Sequence, residues 1–193
     1  MSDDVPVSYG QVYVAGADGF SEGMSKCFGG QRNGLCGAVE PGSLFLRIGL
    51  HTGDVGFAVQ LHDRPPPVDE VWEDVVEVSF RPEVGTLLLL LCWGGDGAWP
   101  LDLEPVDHRV RFCARNMDHA QEGVIMVADD QVIDRYLLQF WPAPPEPDRV
   151  LKQTSDTAAR KHRWARDLPP PPMAREKAET ARQAFPALAP RTG

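Results

Sequence analysis

The sequence predicts an all-β protein: an antiparallel β-sandwich of about eight strands, extended at its C-terminus by a helical, proline-rich segment. Three observations predict it. Short apolar segments recur between residues 7 and 142, several of them rich in Val, Tyr, Phe and Trp, which suit a pleated, half-buried surface. Turn-forming residues separate them. Gly and Pro number 18 each in 193 residues, too much punctuation for a coiled coil or a helical bundle.

The candidate strands, in order, are Val7–Val14, Ser43–Leu50, Val55–His62, Val71–Phe80, Thr86–Trp93, Trp99–Leu103, Arg109–Ala114 and Ile133–Trp141. Asn33-Gly34, Thr52-Gly53-Asp54, Pro65-Pro66-Pro67 and Gly94-Gly95-Asp96-Gly97 supply turns between them. Alternation is clean in 109–114: Val110, Phe112 and Ala114 share one face, and Arg109, Arg111 and Cys113 the other. In 71–80, Asp74 falls on the face of Trp72, Val76, Val78 and Phe80. An acid among inward residues requires a partner, a mouth position or a bulge that turns it outward. Asp18–Gly42, rich in Gly and small residues, reads as a loop, and Asn116–Gln131 as a hairpin or a long connection.

The chain divides at residue 147 into an acidic β domain, 1–147, and a basic, proline-containing, helical or partly disordered tail, 148–193. Ten of the prolines lie after residue 141. Asp148–Asp167 reads as one helix, with Ser155 and Asp156 as the alternative start of a shorter one. Pro169–Pro172 reads as a polyproline II rod, and Ala174–Phe185 as a second helix with little apolar surface to dock. Residues 168–193 are expected to be loosely attached.

Charge follows the same division. Residues 1–150 hold 24 acids and 10 bases, a sum of −14, whereas residues 151–193 hold nine bases and four acids, a sum of +5. A body this acidic repels nucleic-acid phosphates and steers toward a basic surface, or else it serves solubility alone. The densest acidic cluster is Asp69, Glu70, Glu73, Asp74 and Glu77, the expected partner-binding residues. Arg160, Lys161, Arg163, Trp164 and Arg166 form a basic run with an interleaved aromatic, a candidate interaction surface of the tail; its other reading is a helix end complementing the helix dipole and the acidic body. Nucleic acid is therefore unexpected for the body and conceivable only for the tail.

No catalytic motif appears. Cys27, Cys36, Cys92 and Cys113 lack C-x-x-C spacing, and His108 and Cys113 would point to opposite faces of one strand, against joint metal ligation. Gly29-Gly30-Gln31-Arg32-Asn33-Gly34 resembles a phosphate loop only superficially, with no Lys-Ser/Thr after it. No cofactor or metal is implied. The longest apolar run, Leu87 to Trp93, is far short of the roughly 20 residues that span a bilayer. The acidic start Met1-Ser2-Asp3-Asp4 lacks the basic and apolar regions of a signal peptide. A cytoplasmic, bacterial-type protein with reduced thiols and no membrane contact is expected.

Val7-Ser8-Tyr9-Gly10-Gln11-Val12, Gly30-Gln31-Arg32-Asn33, Trp72-Glu73-Asp74, Val110-Arg111-Phe112 and Asp134-Arg135-Tyr136-Leu137-Leu138-Gln139-Phe140-Trp141 stand in an order that resembles the competence protein J family, inhibitors of the bacterial DNA-entry nuclease. The resemblance spans residues 7–142. It implies a β protein that binds a basic partner and performs no reaction, with carboxylates standing where phosphates would lie. The leading expectation is thus a non-enzymatic, inhibitor- or immunity-type partner of a nuclease. Two alternatives stay open: a scaffold whose basic tail binds a partner or nucleic acid, and a hydrolase using the acidic 69–77 segment.

Overall fold

The computed structural model describes residues 2–16, 23–92, 97–121 and 134–171. Residues 122–133, Pro172 and the second helical candidate, 174–185, lie outside the described residues.

Among the described residues, eleven strands join in one sheet. They are β1 (Ser2–Ser8), β2 (Gln11–Gly16), β3 (Cys36–Gly37), β4 (Leu44–Arg47), β5 (Thr52–Leu61), β6 (Asp74–Phe80), β7 (Leu88–Cys92), β8 (Ala98–Pro100), β9 (His108–Arg115), β10 (Arg135–Pro142) and β11 (Arg149–Lys152), with helices α1 (Met24–Phe28), α2 (Met117–Gln121) and α3 (Asp156–Arg166). The path runs β11-β6-β9-β10-β5-β1-β2-β4-β3, and β7 joins β2, with β8 beyond it. Because β4 and β7 take the two edges of β2, β1 meets β2 only at Ser8↔Gln11. The sheet turns a corner there and curls until β3 touches β6. Inward side chains from both arms share one core, in which Phe57, Phe112 and Tyr136 stack with ring centroids 5.6 to 6.3 Å apart.

The protein is mostly strand, as the sequence predicts, but the sheet is not purely antiparallel: β10 runs parallel to β5 and antiparallel to β9. That pairing joins segments about eighty residues apart, so no local pattern encodes it. Nor is Val7–Val14 one strand. Tyr9 and Gly10, at φ 56° and 62°, form a two-residue hairpin turn. Tyrosine seldom occupies a left-handed position. Here the turn is clasped from outside, Ile48 N–H donating to Gly10 O and Gly10 N–H to His51 O, each at 2.9 Å.

Alternation in β9 holds: Val110, Phe112 and Ala114 enter the core. Arg109, Arg111 and Cys113 occupy the other face but are buried too, because proline-rich connections cross it. Arg111 Nη1 donates to Pro66 O at 2.8 Å and Arg109 Nη1 to Glu146 O at 2.8 Å. These carbonyls are available to side chains because the prolines around them keep the segments out of any ladder.

The expected helix over 148–167 splits. Residues 149–152 add β11 to the edge of β6, and α3 begins after Ser155, whose Oγ accepts Ala158 N–H as an N-cap. Asp118, carried by α2, accepts Asp156 N–H (2.9 Å) and Thr157 N–H (2.7 Å) at the same helix end. The described part of the tail is therefore built onto the body. Pro169 to Pro171 lie over Gly29-Gly30, where a Cβ on Gly29 would stand 2.8 Å from Pro169 O.

Candidate functional site

Three connections carry the same composition, acids alternating with proline and apolar residues: 38–42 (Ala-Val-Glu-Pro-Gly), 81–87 (Arg-Pro-Glu-Val-Gly-Thr-Leu) and 101–107 (Leu-Asp-Leu-Glu-Pro-Val-Asp). Proline fixes φ and removes donors, so these segments leave the sheet and keep apolar side chains in solvent. Val84 is 79% exposed, Leu87 60% and Val106 37%. Gly42 and Gly85 turn the chain at φ 68° and 78°, and Gly42 admits Glu83: a Cβ there would stand 2.7 Å from its side chain.

The connections enclose two adjoining hollows of about 460 and 410 Å³ that share Pro82 and Glu83. Together they make a groove with an apolar bed and an acidic rim. Phe80 and Pro145 line one hollow, Leu88, Leu101 and Leu103 the other, and Glu40, Glu83, Asp102 and Asp107 stand around them. Arg81 is the one cation among the lining residues, and it pairs with Asp107 at 3.3 Å. Beside the groove, His108 Nδ1–H donates to Val106 O at 2.9 Å, and burial holds its pKa below the ordinary value. It is a packed wall. Groups of three or more metal-ligating side chains do not occur among the described residues.

The predicted acidic cluster is not one surface. Asp74 keeps its inward position and has the partner such a position demands: Oδ1 accepts Thr154 N–H (2.8 Å) and Ser155 N–H (3.2 Å), and Oδ2 accepts the Ser155 hydroxyl (2.5 Å). Burial raises its pKa against those three bonds. Glu77 is buried on the other face between Arg111 (2.9 Å) and Arg109 (3.5 Å). Glu73 accepts Asn116 N–H at 2.8 Å, Asp69 accepts Val71 N–H at 3.0 Å, and Glu70 pairs with Lys152 at 3.1 Å. Asp74 and Glu77 thus hold elements together, and Asp69, Glu70 and Glu73 keep carboxylates at the surface. The acids of the groove form no cluster in the sequence because they are scattered over 68 positions, from Glu40 to Asp107.

The basic run divides by helix face. Arg160, Arg163 and Arg166 are exposed, whereas Lys161 is buried and Trp164 packs against Phe28 and under Arg47. The 29–34 stretch is structural. Its Arg32 and Asn33 amides donate to Asp148 and its Gly34 amide to His162 Nδ1, which leaves no nest for a phosphate. All four cysteines are buried, with burial pushing the Cys113 thiol up to about 12. No described helix is long and apolar enough to cross a membrane.

No protein-family model matches the chain, and no curated protein matches it. Among solved structures it is similar to one named crocagin biosynthetic gene J, at 15% identity and a TM-score of 0.45, over 74% of this chain and 96% of that one.

Proposed function

We propose that this protein is a non-enzymatic binding module that captures a basic protein through the proline-walled groove between residues 38–42, 81–87 and 101–107. The observation that carries the reading is the coincidence of exposed apolar side chains with an acidic rim. Val84, Leu87 and Val106 sit among Glu40, Glu83, Asp102 and Asp107, with a single, already paired cation. Such a surface suits a partner segment that places aliphatic side chains in the bed and Lys or Arg on the rim. The net charge of −9 adds long-range steering toward a basic partner. Resemblance to the competence protein J inhibitors makes a bacterial nuclease, whose substrate groove must be basic, the first partner to test.

The test places a photo-crosslinking residue at Val84 and maps what it captures in an extract of the source cells. Capture of a basic protein that weakens from 50 to 300 mM salt, and that is lost on combining Glu40→Gln, Glu83→Gln and Asp102→Asn, is expected. Capture indifferent to salt and to those substitutions overturns the reading. Loss on Asp69→Asn with Glu70→Gln instead moves the interface to the other acidic surface, and loss on deleting 168–193 moves it to the tail.

A further inference from the structure

A second, smaller pocket lies at the opposite charge extreme. It is about 200 Å³ in volume and is formed where the Tyr9-Gly10 turn, the 47–51 segment and α3 meet; Gln11, Arg47, His51 and Lys161 line it. Lys161 is only 9% exposed, and its Nζ donates to Ile48 O. Arg47 lies over the Trp164 ring, 4.6 Å from its centroid, and its buried Nη1 has no hydrogen-bond partner among the described residues.

Neither cation pairs with a carboxylate among the described residues, which is out of character for this fold. The two fully buried arginines, Arg109 and Arg111, share the Glu77 carboxylate and are capped by backbone carbonyls. Asp134 comes nearest to serving Lys161. Its Oδ2 is taken by the Tyr136 hydroxyl at 2.6 Å and Leu50 N–H at 3.1 Å, and its buried Oδ1 has no hydrogen-bond partner among the described residues, so its charge acts on Lys161 through space without a direct bond. Burial and the proximity of Arg47 pull the Lys161 pKa down to about 7, and burial lowers that of Arg47 to about 10. Two desolvated cations with Asp134 as their nearest carboxylate leave positive charge uncompensated, which is costly unless something anionic completes them.

We propose that Arg47 and Lys161 form a binding site for one phosphate group, carried by inorganic phosphate or by a small phosphomonoester. A dianion neutralises both cations, whereas a carboxylate neutralises one. The free Arg47 Nη1 and the two remaining Nζ protons of Lys161 match the several acceptor oxygens of a phosphate. The volume of about 200 Å³ admits a phosphate group and is too small for a whole nucleotide. The site is separate from the acidic groove, so it neither requires nor disturbs the docking role.

The experiment titrates the full chain with inorganic phosphate, glycerol phosphate and acetate at matched ionic strength, following backbone amide NMR shifts and calorimetric heat. Saturable phosphate binding is expected, with the largest shifts at Ile48 to His51 and acetate weaker by about tenfold or more, the worth of one charge-assisted hydrogen bond. Arg47→Met, which keeps an apolar stem on Trp164, is expected to weaken phosphate by a similar factor. Tighter binding of glycerol phosphate identifies a monoester as the ligand, and equal binding identifies free phosphate. Acetate matching phosphate, shifts centred elsewhere, or an unaffected Arg47→Met protein each overturn the proposal. The wild-type shift map decides the matter even if that variant does not fold.

Discussion

Two carboxylates that look alike in the sequence do different structural work, and neither faces solvent. Glu77 pairs with both Arg109 and Arg111 on the covered face of β9, so Glu77→Ala leaves two buried guanidiniums with only uncharged partners among the described residues. Breaking a buried pair from one side costs about 3–5 kcal/mol, and urea denaturation of that variant should show a loss of this order. His162 makes a different prediction. Its Nδ1 accepts the Gly34 amide at 2.9 Å, which requires the neutral ring; burial, then Arg166, hold its pKa down to about 4. The unfolded chain, with histidine near 6.5, binds the proton first. Stability therefore falls as pH drops from about 6.5 to about 4, by up to about 3 kcal/mol from this residue. His162→Asn, whose amide oxygen stands where Nδ1 does and can still accept from Gly34, should flatten that part of the pH–stability profile. Asp74 shows how far the residue level is legible. Its inward phase and its need of a partner follow from alternation along 71–80, but the partner, Ser155, stands 81 positions away.

At the level of the element, α3 illustrates what local chemistry settles. Its start is written in Ser155, a capping residue, and Ser155→Ala should lower stability by about 1 kcal/mol or somewhat more, since the hydroxyl also serves Asp74. Removing the second anchor, Asp118→Ala, should cost about 1 kcal/mol and raise hydrogen exchange at Asp156 and Thr157. Where the helix lies is another matter, decided by Gly34. A Cβ there would stand 2.0 Å from Lys161 O, and the obstruction is helix backbone rather than a side chain that can swing away. Gly34→Ala should therefore displace α3, with exchange rising along the whole helix and not at its first turn alone. The residues before α3 read as helix in isolation but form β11, because the open edge of β6 offers backbone partners that a lone segment lacks.

Across the whole molecule, charge acts in two opposed ways. An excess of nine negative charges repels itself, so screening should raise the melting temperature modestly between 20 and 300 mM salt. The same screening should weaken capture of a basic partner, and a melting temperature that rises while capture falls would separate fold from docking. The amino-acid order by itself determined that the chain is mostly strand, which residues of β9 face inward, that the body is acidic and the end of the chain basic, and that a helix can begin at Ser155. These follow from periods of two, from turn chemistry and from capping, all of which act over a few residues. Only the tertiary structure decided that β10 runs parallel to β5, that Asp74 and Glu77 are spent inside, that acids from three proline-rich connections share one groove, and that Lys161 leaves its basic run to stand beside Arg47. Each of these joins residues distant along the chain, and such contacts are selected by the burial and pairing energy of the assembled sheet, which no short window of sequence contains.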